Sequence, residues 1–257
     1  MGFNFFLKRK NDDKKVVTPP QIVTPNPSHQ AAPIIQPVPA SKPVDKNEGK
    51  KPVYCFIDSS NMFWGGRESL GFKINYQKLR QYLEQKHGVT KIYYYGGLRI
   101  FDYEYSILQK ERIDLRALYA HLKELQTKSE PKESLMIQKS LDKVNFYQKL
   151  EEFGYDMEIK PAKVFYEEDD ENQEKPVLKA NCDVDMTFDM MRLMEQYSGV
   201  LAMTGDGDFT AVLNYLKNHG RSLYVIGRQQ RSAKEIREVA GDNFCDFETL
   251  KPIIELR

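Results

Sequence analysis

The hydrophobic pattern changes character at Pro52. Beyond it, Val53-Tyr54-Cys55-Phe56-Ile57 is a continuous apolar run closed by Asp58, the pattern of a strand buried on both faces. Tyr76–His87 sets Leu79, Tyr82 and Leu83 at helical spacing. Ile92-Tyr93-Tyr94-Tyr95 predicts a second strand, closed by Gly96-Gly97, and residues 103–127 and 133–153 predict helices parted by Ser129-Glu130-Pro131. Asp156–Lys160 is a short strand ended by Pro161, and the acidic run Glu167–Glu171 predicts a solvated loop. Then follow a helix over Asp183–Tyr197, a strand over Val200–Thr204 and a helix over Asp208–His219, stopped by Gly220. The pattern ends with a strand over Leu223–Ile226 and a helix over Ser232–Ala240, with Ser232 at the cap position. Strands alternating with helices imply an α/β fold: a parallel sheet covered by helices on both faces.

Residues 1–52 are different. Nine of the chain's 13 prolines lie there, among Gln, Ser, Thr and Lys, so this stretch is expected to be a disordered, Pro-rich basic tail and a possible ligand for a protein partner. Residues 53–250 are expected to form one domain with a helical insertion at about 102–146, and 251–257 a short C-terminal tail. The whole chain of 257 residues carries +1, but the tail holds +5 and the remainder −4. A polyanion would therefore meet the body through bound cations, local basic patches or the tail. Cys55, Cys182 and Cys245 form no close pair and no zinc spacing, which fits a reducing, cytoplasmic setting. No apolar run approaches the roughly 18 residues of a membrane span.

Chemistry concentrates in aspartates. Asp58 follows the first strand, and Asp206 and Asp208 follow a later one, so a parallel sheet puts all three on its carboxyl edge, where such folds place their sites. An Asp at a strand end is also a common turn former or helix cap, and Gly205 and Gly207 can serve simply to make a tight loop. It is the grouping that points to chemistry. Crowded carboxylates repel one another unless a cation is present, and hard ions such as Mg²⁺ or Mn²⁺ prefer oxygen ligands. Asp183 opens a helix. At roughly 100° per residue, Asp185, Asp189 and Arg192 share a stripe that Asp183 does not, so Asp183 ranks ahead of Asp185 and Asp189 as a site residue. There is no phosphate-binding GxxxxGK[ST] loop and no Ser–His or Cys–His nucleophile arrangement.

Three segments carry a family resemblance: Phe56-Ile57-Asp58-Ser59-Ser60-Asn61, Lys179-Ala180-Asn181-Cys182-Asp183-Val184-Asp185, and Thr204-Gly205-Asp206-Gly207-Asp208-Phe209. Together they resemble the NYN domain, in the LabA/DUF88-like branch of the PIN-like nuclease superfamily. The resemblance implies a PIN-like, Rossmannoid sheet and a Mg²⁺- or Mn²⁺-dependent ribonuclease. It implies Asp58, Asp183, Asp206 and Asp208 as metal ligands and catalytic residues. Asn61, Lys179 and Thr204 would face substrate, with Thr204 standing where the family usually has Ser. Trp64, in the loop after Asn61, is expected to stack on a base of single-stranded or structured RNA. The insertion is longer than usual and is expected to serve as a lid, an RNA platform or a homo-oligomer contact.

A catalytically silent PIN-like scaffold that binds RNA or protein is the alternative. An adhesion module with a metal-binding DxSxS motif would need Ser where Met62 stands, and a phosphatase using paired aspartates would need Asp at Ser60.

Overall fold

A computed structural model describes residues 51–62, 71–106, 108, 112–168 and 174–256, with backbone alone at 61–62, 164–168 and 174–179. The tail through residue 50, Trp64 and the end of the acidic run lie outside these residues. The strands are β1 (Val53–Asp58), β2 (Val89–Leu98), β3 (Asp156–Pro161), β4 (Lys163–Glu168), β5 (Glu174–Lys179), β6 (Gly199–Met203), β7 (Ser222–Gly227) and β8 (Phe244–Asp246). The helices are α1 (Ser59–Met62), α2 (Tyr76–His87), α3 (Leu115–Lys128), α4 (Pro131–Glu152), α5 (Asp183–Arg192), α6 (Thr210–Asn218), α7 (Lys234–Ala240) and α8 (Lys251–Ile254).

One six-stranded sheet runs in the order β3-β2-β1-β6-β7-β8, with every neighbouring pair parallel. Successive side chains of β1 face opposite layers. Cys55 and Ile57 enter a core with Leu79 and Leu83 of α2, Leu118 and Leu122 of α3, Ile137, Leu141 and Val144 of α4, and Ile254 of α8. Tyr54 and Phe56 enter the other, with Met186 and Met190 of α5, Leu213 and Leu216 of α6, and Ile236 of α7. The middle of the sheet is therefore buried on both faces, which is why β1 and β6 read as unbroken apolar runs.

Several elements depart from the sequence reading. The first long helix begins at Leu115, not 103, because Asp114 caps it by accepting from the Arg116 and Ala117 amides. Both helices of the insertion bury leucines in the main core, so they form one layer of the domain. The polar stretch around the acidic run forms an antiparallel hairpin, β4 with β5, where a solvated loop was expected. Ser232 does not cap α7; its hydroxyl donates to the Arg228 carbonyl, and Ala233 holds the cap position without a side-chain bond. Residues 251–256, expected as a tail, include α8 with Ile254 buried, and the Leu256 amide donates to the Lys73 carbonyl.

Candidate active site

From β1 the chain steps outward through β2 to β3; from β6 it steps the other way through β7 to β8. The order reverses between β1 and β6, and a crevice opens beyond the carboxyl ends of strands at such a point. Asp58 ends β1, and Asp206 and Asp208 lie just past the end of β6.

The loop after β6 is set by local bonds. The Asp206 carboxylate accepts from the Asp208 amide at 3.0 Å, capping a short 3-10 turn, Gly207–Phe209. The Asp206 amide donates to the Thr204 hydroxyl at 3.1 Å. The Ala233 amide donates to the Gly205 carbonyl at 2.9 Å, tying the loop to the start of α7. A Cβ on Gly227 would lie 2.7 Å from the Thr204 carbonyl oxygen, so only glycine lets β7 end this close.

Asp183 arrives by a different route. The β4–β5 hairpin returns the chain to Ala180, whose side chain rests against Gly97 of β2. Asn181 then accepts from the Asp183 amide at 3.0 Å, and α5 starts. In this placement Asp183, Asp206 and Asp208 each bring a carboxylate oxygen within 4.8 Å of the others'. Asp183 is half-buried, while Asp206 and Asp208 are exposed. Burial first, then the charges of Asp58, Asp206 and Asp208, push the Asp183 carboxyl above its ordinary pKa.

Asp58 sits beside this trio. One of its oxygens accepts from the Ser60 amide at 2.9 Å and the Ser60 hydroxyl at 2.6 Å. The other accepts from the Thr204 hydroxyl at 3.4 Å. Thr204 is completely buried, so the hydroxyl expected to meet substrate instead bridges the Asp58 carboxylate and the Asp206 amide.

The second-ranked aspartates point elsewhere. The Asp185 carboxylate accepts from Lys160 at 2.7 Å, and the same ammonium donates to the Asn181 carbonyl at 3.1 Å. Asp189 is buried and accepts from the Tyr95 hydroxyl at 2.8 Å and from Arg192. Both act as anchors for α5. Tyr95 was read only as strand core and Lys160 was not singled out; their partners lie 94 and 25 residues away, beyond any local pattern. At Asn61 and Lys179 the backbone is placed, at the end of α1 and of β5, and Trp64 lies outside the described residues.

Three carboxylates converging on one point, with charges that raise the pKa of the most buried, suit a hard divalent cation with oxygen ligands. The NYN domain model matches residues 52–248 of this chain. The chain belongs to the NYN domain family. It is 29% identical over 114 residues to the low amplitude and bright protein LabA of Synechococcus elongatus; the match spans 44% of this chain and 60% of that one. A solved protein of unknown function from Vibrio parahaemolyticus is 17% identical, covering 79% of this chain and 96% of its own, with a TM-score of 0.49. The T5 5′-exonuclease solved with zinc is 10% identical, covering 72% and 60%, with a TM-score of 0.38.

Proposed function

We propose that this protein is a Mg²⁺- or Mn²⁺-dependent endoribonuclease acting at the crevice between β1 and β6. The observation that carries the reading is the convergence of Asp183, Asp206 and Asp208 within 4.8 Å at that crevice. In this reading the three carboxylates hold the ion, and Asp58 completes the acidic wall. A divalent cation supplies an acidified water and a positive charge beside the scissile phosphodiester. The chain's own part is arrangement. Ser60 and Thr204 fix the orientation of Asp58, and the Asp206 cap fixes Asp208. Lys160 holds the start of α5, so that Asp183 faces the loop after β6 rather than solvent. Asn61, Lys179 and Trp64 are assigned to the RNA strand, which stacks and pairs through unpaired bases. No described helix is long and apolar enough to cross a membrane.

The test is cleavage of a mixed single-stranded and hairpin RNA pool with Mn²⁺, with Mg²⁺ and with EDTA, comparing the parent chain with Asp206→Asn. Cutting that needs the ion and falls by at least about 100-fold in the variant is the expected result. RNA retention on a filter without cutting under any condition would replace this reading with that of a silent binding scaffold.

A further inference from the structure

A second feature lies on the same sheet edge. Past the end of β2 the chain turns through Arg99 to Asp102, and a groove of about 480 Å³ opens there, walled by Phe101, Leu125 of α3, Glu133 of α4 and Ala162. That volume falls in the range of about 300–1,000 Å³ typical of small-ligand sites. The Arg99 guanidinium lies over the Phe101 ring at 4.3 Å from its centroid, and its Nη1 donates to the Met136 sulfur at 3.2 Å. Phe101 adopts φ +55, the left-handed region, which a bulky residue occupies only where its surroundings hold it. Two carboxylates edge the groove. Asp102 is engaged by His121 at 2.9 Å, while Glu133 stands exposed in the first turn of α4.

The groove and the acid cluster are linked by a short path. The Ala162 amide donates to the Leu98 carbonyl, Ala180 rests on Gly97, and Asp183 follows three residues later. Only β1 separates β2 from β6, about 10 Å across the sheet.

We propose that this groove binds one unpaired guanine of an RNA strand whose backbone crosses the acid cluster, a specificity subsite that rests on the ribonuclease reading above. The base stacks on the Arg99–Phe101 platform. The Glu133 carboxylate accepts from guanine N1–H and the N2 amino group together. Uracil offers a single N–H between two carbonyls, and adenine and cytosine set an acceptor beside their amino group, so none satisfies both carboxylate oxygens.

The full chain carrying Asp206→Asn, which leaves RNA uncut, is titrated against labelled octauridylate containing one central guanosine, one central inosine, or neither. Tighter binding of the guanosine strand by about tenfold is expected, with inosine, which lacks the amino group, losing most of that gain. Adding Glu133→Gln, an exposed change that does not threaten folding, removes the preference. Adding Phe101→Ala weakens all three strands by about tenfold. Equal binding of the three strands, or a preference that survives Glu133→Gln, overturns the subsite, and if the parent chain still cuts RNA with Mn²⁺ the ribonuclease reading stands. A parent chain that neither binds nor cuts RNA overturns both.

Discussion

The surroundings of Asp183 disfavour its charged form. Its folded pKa lies above the ordinary value, through burial first and then through Asp58, Asp206 and Asp208. A group raised in this way binds more protons folded than unfolded. Stability therefore rises as pH falls through the window between the two values, and is lowest once the carboxyl is charged. In EDTA at neutral pH, Asp183→Asn is expected to melt higher than the parent, with the difference fading below the unfolded carboxyl pKa of about 3.9. Saturating Mn²⁺ should reverse the order. At 100-fold excess over its dissociation constant a ligand adds about 2.7 kcal/mol to the parent, and the variant lacks a ligand to respond. Thermal melts with and without Mn²⁺ check both halves; a variant that melts lower in EDTA would mean that the charges at this point are not in conflict. The helix start at Asp183 was legible in the sequence pattern, but its place beside Asp206 and Asp208 was implied only by the family resemblance, because a helix start does not fix where along the sheet edge it lies. The roles of Thr204, Asp185 and Asp189 were not legible, because each depends on a side chain brought from a distant strand.

At the scale of elements, α5 is held to the sheet by polar contacts on its inner side. Tyr95→Phe removes the hydroxyl that donates to buried Asp189, leaving that carboxylate with Arg192. The loss of a hydrogen bond to a buried charge is about 2 kcal/mol, or about 4–8 °C in the melt of a domain this size. Lys160 still fixes the first turn, so Mn²⁺-dependent cleavage is expected to persist; an unchanged melt would show that Asp189 is solvated in solution. The hairpin base is steric rather than polar. A Cβ on Gly97 would collide with that of Ala180. Gly97→Ala should therefore destabilise by about 1–3 kcal/mol and weaken Mn²⁺ binding by shifting Asp183. Gly97→Ala with Ala180→Gly should recover most of both; a double variant no better than the single one would place the strain elsewhere. The hairpin was invisible to hydrophobic pattern because β4 and β5 pair outside the main sheet and carry Glu, Lys and Pro among their apolar positions. The six sheet strands differ: β1, β2, β6 and β7 are buried on both faces and announce themselves, while three-residue β8 is too short to do so.

For the whole molecule, charge is divided against function. Under the ribonuclease proposal the protein would have to draw a polyanion toward an acidic crevice, and the chain's +1 is unevenly spread. Residues 1–50 hold eight bases and four acids, and removing them leaves a body of −3. Among the described residues, the strand ends, caps and core contacts that place Asp58, Asp183, Asp206 and Asp208 are supplied by Lys51 and the residues after it. Deleting residues 1–50 should therefore leave the melting temperature and the cleavage rate at saturating RNA close to those of the full chain. Affinity for RNA should fall, and fall most at low salt. Each phosphate contact contributes about 0.7 to the slope of log affinity against log salt for a single strand. Loss of three or four tail contacts flattens that slope by about 2–3. Titrations of a labelled single strand from low to physiological salt measure it directly. A slope unchanged by the deletion would assign RNA capture to the folded body, with the basic residues at its rim, Arg99 among them, supplying the cations.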